Sequence, residues 1–151
     1  MGRAHAHIDV PGTVEGAEEL WYDVGRWATF IDGFGHVHRR DEQWPATGGT
    51  LVWDSLPNGR GRVVERVLAQ APGEGQTTAV EDPRLRGTQR IAFTALEDGV
   101  EIALELDYDL KQGSILRPLT DALFIRRALR ESLRRTLARF DRELRAEGEL
   151  R

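Results

Sequence analysis

Two arginines, Arg126 and Arg130, stand where a helix would place apolar side chains. Residues 118–147 read PLTDALFIRRALRESLRRTLARFDRELRAE. A period of roughly 3.6 residues puts Leu119, Ala122, Leu123, Leu129, Leu133, Leu137, Phe140 and Leu144 on one stripe, with Arg127, Arg135, Arg139 and Arg142 on the other faces. By helical angle Arg126 and Arg130 fall inside that stripe and are expected to face whatever it covers. An unpaired buried charge is very costly, so two readings stand side by side. In one, the guanidiniums snorkel from the helix edge or pair with a carboxylate such as Glu65 or Glu81. In the other, they anchor a carboxylate, phosphate or enolate on an otherwise apolar ligand.

Other chemistry-bearing residues are few. Tyr108 lies on a strand whose inward face can be assigned, which makes its hydroxyl a general acid or base candidate, or else a buried core tyrosine with a hydrogen-bond partner. His5 and His7, like His36 and His38, are two apart and would share one face of a strand, but metal binding needs further ligands, and solvated edge histidines are the simpler reading. There is no cysteine, no glycine-rich phosphate loop, no HExxH and no Gly-x-Ser-x-Gly elbow. No catalytic motif, metal site or cofactor is predicted.

These residues must be positioned by a chain of 151 residues, 40% hydrophobic and 30% charged, enough for one domain with its own core. The predicted domain spans residues 1–151. No signal-like or membrane-spanning apolar run is present, so a cytoplasmic protein is expected. The formal charge of −4 conceals an asymmetry: residues 117–147 hold nine arginines and five acids, a surplus of +4, which leaves −8 for the remainder. The basic helix and the acidic body should attract each other.

Residues 4–10 alternate as an edge strand with one wet face, ended by Pro11 and Gly12. A short helix follows over 14–24, with Thr13 as its N-cap. Next comes an irregular, glycine-containing segment in which Trp27, Phe30, Ile31 and Phe34 plug the end of a core. Strands are predicted over 36–43, 50–55, 62–70, 77–81, 88–96 and 100–110, with Asn58-Gly59 as a hairpin turn. The last is the clearest: Val100, Ile102, Leu104, Leu106, Tyr108 and Leu110 point one way and an acidic row the other. The long helix then begins at Ser114 or Pro118.

This ordered set, carried by HIDVPGTVEGAEELWYDV with Trp27, DGVEIALELDYDL and GSILRPLTDALFIRRALRESLRRTLARFDRELRAE, resembles the START-like (SRPBCC) superfamily of polyketide cyclase/dehydrase and lipid-transport type, in its bacterial branch of small members. Gly12 replaces a proline common in relatives, which affects only the turn. The resemblance implies an α+β helix-grip fold: a curved antiparallel sheet of about seven strands around the C-terminal helix, with an apolar cavity between them. It implies a hydrophobic ligand such as a lipid, isoprenoid or polyketide-like aromatic, contacted by Trp27, Phe30, Phe93, Leu104, Tyr108, Leu119, Leu123, Arg126 and Arg130.

Three functions fit: carriage, sequestration or sensing of that ligand; a cyclase or dehydratase on the same cavity; and an interaction module using the basic helix face. Nucleic acid is not expected, because Glu131, Asp141, Glu143 and Glu147 interrupt the basic face and the chain is acidic overall. Phe124 on that face suggests a partner surface or a homodimer.

Overall fold

The computed structural model describes residues 1–111 and 119–150, with side chains of the last helix from Ala122 onward. The elements are β1 (Gly2–Val10), α1 (Val14–Tyr22), a 3-10 turn (Val24–Arg26), α2 (Trp27–Phe30), β2 (Phe34–Arg40), β3 (Thr50–Ser55), β4 (Arg62–Ala71), β5 (Gly75–Glu81), β6 (Leu85–Leu96), β7 (Gly99–Leu110) and α3 (Leu119–Glu149). All seven strands form one antiparallel sheet in the order β1-β7-β6-β5-β4-β3-β2. The sheet curls around α3, as the sequence predicts.

Alternation sets the inner face. In β7, Val100, Ile102, Leu104, Leu106 and Tyr108 are buried while the acidic row faces out, and β1 and β4 alternate in the same way. Tyr108 is accommodated because its neighbour on β1 is Gly2: a Cβ there would come within 2.4 Å of the Tyr108 ring. Thr13 caps α1, its hydroxyl accepting from the Gly16 N–H.

The predicted irregular segment is more ordered than expected, for Trp27 to Phe30 form a helical turn. Trp21, Trp27, Phe30, Phe34, Trp53 and Phe140 form a continuous aromatic cluster, with neighbouring rings 5.1 to 6.5 Å apart. The Trp27 indole donates to the Trp21 carbonyl at 2.7 Å, so its polar edge is satisfied inside.

α3 covers β1 and α2 most fully from about Leu129 onward, with Ile125 ahead of it also packed against the core. Leu133, Leu137 and Phe140 are buried, whereas Ala122 and Leu123, expected on the apolar stripe, are exposed, as is Arg126. The reason is length. At about 1.5 Å per helical residue α3 is ~46 Å long, against ~30 Å for nine-residue β1 at about 3.3 Å per residue. The far end of α3 lies beside the Pro11–Thr13 turn, where Leu144 and Arg145 share a groove with it. The surplus turns therefore overhang at the N-terminal end, where the helical period still runs but, among the described residues before Leu129, Ile125 alone packs against the core.

Candidate functional site

Between the sheet and the middle of α3 lies a cavity of about 40 Å³, bounded by Trp21, Trp27, Trp53, Leu104 and Leu133 and by an unexpected set of polar groups. The larger groove of about 520 Å³ between the Pro11–Thr13 turn and Leu144–Glu149 lies outside the grip.

The polar groups arrive in a staircase across the strands. In β4 the period of two that buries Val63 and Val67 also buries Glu65, which is 3% exposed. On β5, Thr78 lies opposite Val67, and on β6 Gln89 lies opposite Thr78. The Trp53 indole N–H donates to Glu65 Oε2 at 2.7 Å, and Thr78 Oγ1 is 3.4 Å from Oε1. Burial pushes the Glu65 carboxyl above its ordinary value of 4.5, while the Trp53 N–H, the Arg60 charge and the Thr78 hydroxyl pull it only part of the way back. Glu65 is thus held toward the neutral acid.

Arg60, in the β3–β4 turn, is fixed by Asp82. Its Nε donates to Asp82 Oδ2 at 2.8 Å, and the same carboxylate accepts the Arg84 and Leu85 N–H groups. The guanidinium lies 5.9 Å from the centroid of the Trp53 ring. Its Nη2 is buried and has no acceptor among the described residues. A pinned cationic donor with a free N–H and a carboxyl kept toward its neutral form therefore border one cavity.

From the helix side, Ser132 and Thr136 meet Asp32. The Asp32 N–H donates to Thr136 Oγ1 at 2.9 Å, and Ser132 donates to Asp32 Oδ2 at 2.7 Å. Arg135 adds hydrogen bonds of 3.1 and 3.0 Å, and Arg139 lies at 3.3 Å. Burial by itself would push the Asp32 carboxyl up, but the Arg135 and Ser132 hydrogen bonds and the two arginine charges more than offset it and hold it below 3.8. Asp32 is thus a clamp for α3, its lone pairs already engaged. The attraction between basic helix and acidic body is realised here, and in the opposite sense where Arg26 of the body holds Glu143 of α3.

Replacing Asp32 by Asn should cost about 1 kcal/mol of stability, since Arg135 is half exposed and its bonds are screened. The contribution is present above pH 3.8 and is lost as pH falls through the lowered pKa. Urea midpoints of the two proteins should therefore differ at neutral pH and converge in acid.

Of the residues expected at the site, Trp27 and Leu104 line the cavity. Phe30, Phe93 and Tyr108 are buried in the core but do not border the cavity. Arg130 is half-buried, with its Nε shielded from water and without an acceptor among the described residues, but it does not border the cavity. Leu123 and Arg126 point to solvent from the overhang, so neither faces the sheet. The Leu119 side chain lies outside the described residues. Neither Arg126 nor Arg130 pairs with Glu65 or Glu81: Glu65 is bonded by Trp53, and Glu81 meets Lys111 at 3.3 Å.

Glu65, Arg60, Thr78, Gln89 and Thr136 were not among the expected site residues. For Glu65 the signal was available, because an acid in the row Val63-Glu65-Val67 breaks an apolar face just as Arg126 and Arg130 break theirs. The histidine pairs lie on β1 and β2, at opposite sheet edges. Among the described residues no three His, Cys, Asp or Glu side chains are grouped to hold a metal, and no helix is long and apolar enough to cross a membrane.

Residues 1–145 match the protein family described as polyketide cyclase / dehydrase and lipid transport. No curated protein matches the sequence. Among solved structures, the di-domain ARO/CYC StfQ from the steffimycin biosynthetic pathway is similar with a TM-score of 0.74 and 18% identity, over 97% of this chain and 52% of that one. DynU16, from the dynemicin biosynthetic locus, is similar at 0.67 and 16%, over 95% and 47%. A Staphylococcus aureus protein of unknown function, SA2116, is similar at 0.75 and 10%, over 98% and 97%. The chain spans about half the length of StfQ and DynU16. At these identities the likeness is one of fold.

Proposed function

The chain belongs to the polyketide cyclase / dehydrase and lipid transport family, and from that premise we propose that it binds a hydrophobic small molecule for carriage, sequestration or sensing. The ligand's polar group sits at Glu65 and Arg60, and its apolar body lies against Trp27, Leu104 and Leu133. Phe30, Phe93 and Tyr108 back that surface.

The observation that carries the reading is the buried Glu65 beside the free Nη2 of Arg60. A sheet that needed only a core would place valine or leucine there, since burying a carboxyl costs stability. A ligand carbonyl or enol reaching both groups would complete their hydrogen bonding.

The cavity is small against the roughly 300–1,000 Å³ of ordinary small-molecule pockets. Ligand therefore enters by displacing aliphatic side chains between sheet and helix and by shifting the overhanging half of α3, which has the least beneath it. Arg130, whose buried Nε has no acceptor among the described residues, would then close over the ligand.

A second reading, cyclisation or dehydration of a polyketide-like chain, is favoured by one observation: a neutral-leaning acid and a fixed cation border the same space. Arg60 would stabilise negative charge developing on a ligand oxygen, and Glu65 would supply a proton. The ARO/CYC label of StfQ accords with a polyketide-like ligand for this chain.

Native mass spectrometry of freshly purified protein, followed by organic extraction, tests the binding reading. A lipophile should co-purify, and the same compound at about a hundred times its Kd should raise the melting temperature by roughly 5–10 °C. If nothing co-purifies and no member of a broad panel of lipids, isoprenoids and aromatic polyketides raises it, the cavity has no such ligand.

A further inference from the structure

The end of the sheet from which β7 leaves toward α3 carries charge and apolar surface that the proposed ligand site leaves unused. By register, Gly2, Leu110, Leu85, Glu81, Arg62 and Ser55 lie at that end, so the β3–β4 turn, the β5–β6 turn and the overhang of α3 gather there. Leu56 in the first turn is 55% exposed, and on the overhang Leu123 and Phe124 are 61% and 72% exposed. Among the residues with described side chains, the acids at this end are matched by cations: Glu81 by Lys111, Asp82 by Arg60, Asp54 by Arg62, and Asp109 by the Met1 ammonium. Arg84, Arg126 and Arg127 are exposed, and among the described residues none has an ion pair.

The basic character of α3 is thus of two kinds. From Glu131 onward acids and arginines alternate and pair, as in Glu131 with Arg134 and Asp141 with Arg145. Residues 122–130, ALFIRRALR, hold three arginines and no acid.

We infer that this end of the molecule docks on an anionic lipid surface, with Leu123 and Phe124 entering the headgroup region and Arg84, Arg126 and Arg127 meeting lipid phosphates. Exposed leucine and phenylalanine beside uncompensated arginines on a helix fit the boundary between headgroup and acyl chain, where apolar burial and charge attraction add. A second copy of the chain fits less well. Of the acids it would offer on the outer face of β7, Asp107 and Glu105 are engaged by Arg3 and Asp109 by the Met1 ammonium, and Glu101 lies at the other end of the strand, opposite Asp9. The β3–β4 turn that carries Arg60 lies at the same end, so docking would turn the proposed ligand site toward the acyl layer. The inference itself stands without that site.

Co-sedimentation of the full chain with phosphatidylcholine vesicles, with and without phosphatidylglycerol, tests it. The chain should pellet with the anionic vesicles, should not pellet with pure phosphatidylcholine, and should be released by added salt. The double substitution R126E/R127E should lower partitioning at least about tenfold. L123S/F124S should lower it by a similar factor while leaving the melting temperature unchanged, since both side chains are exposed.

Absence of binding to phosphatidylglycerol vesicles at low salt overturns the inference, as does binding that R126E/R127E leaves intact. Self-association by light scattering that is abolished by the same substitutions, without vesicle binding, would give the surface to a second copy and overturn it equally.

Discussion

A protein in which Glu65 is replaced by Gln should unfold at a higher urea concentration than the native chain at about pH 8, and at the same concentration at about pH 4. Folded Glu65 keeps its proton to higher pH than the unfolded chain does, because burial raises its pKa above 4.5. Between 4.5 and that raised value the unfolded chain has released a proton that the folded chain still holds, so stability falls as pH rises through the window. Glutamine removes this penalty and keeps the geometry: its carbonyl can accept from Trp53 Nε1, and its amide can donate to Thr78 Oγ1.

The same variant separates carriage from catalysis. Glutamine preserves a hydrogen-bonding side chain at the ligand's polar group but cannot deliver a proton. Ligand affinity should therefore change by no more than a few-fold, whereas a cyclisation or dehydration relying on Glu65 as acid should slow by about 10²–10⁴. A variant less stable than the native chain at about pH 8 would mean that Glu65 is ionised and paired in solution, contrary to its surroundings here. Greater stability with unchanged function identifies a binding protein.

Replacing Phe140 by Ala should cost about 3–5 kcal/mol, a large share of the roughly 5–15 kcal/mol that typically separates folded from unfolded states. Phe140 is fully buried and packs edge-on against Trp21 at 5.6 Å and Phe30 at 5.1 Å, so it joins α3 to both earlier helices. Truncation leaves a void among large, rigid rings that have little freedom to collapse into it. Urea denaturation followed by tryptophan fluorescence reads the loss directly. Phe124→Ala, on the same helix but exposed, should stay within about 0.5 kcal/mol. Similar losses for the two would mean that α3 is not seated as described.

How legible the fold was follows from how local its signals are. The alternation in β7, the hairpin at Asn58-Gly59, the Thr13 cap and the apolar period of α3 are contained within a dozen residues or fewer at a time, and each identified its element. Ends were less legible: β2 begins at Phe34 rather than His36 and β6 at Leu85 rather than Thr88, because pairing with a neighbour extends a strand past its own pattern. The aromatic-rich segment after α1 was read as irregular on account of its glycines, yet packing under α3 winds Trp27 to Phe30 into a turn.

For the site, the sequence by itself determined that the Leu104 row of β7 turns inward and that Trp27 plugs the core, while the local alternation of β4 carries Glu65 to the same side as Val63 and Val67. Periodicity is a property of neighbouring residues, and it carries that far. Only the tertiary structure decided what those faces meet. Register between strands brings Trp53 and Thr78 to Glu65, and the Asp82 carboxylate, twenty-two residues on in sequence, pins Arg60 at the same cavity. The lengths of α3 and β1 decided the rest: the helical period predicted Leu123 and Arg126 on a covered face, but a helix that outruns the strand beneath it leaves both of them in solvent at its surplus end.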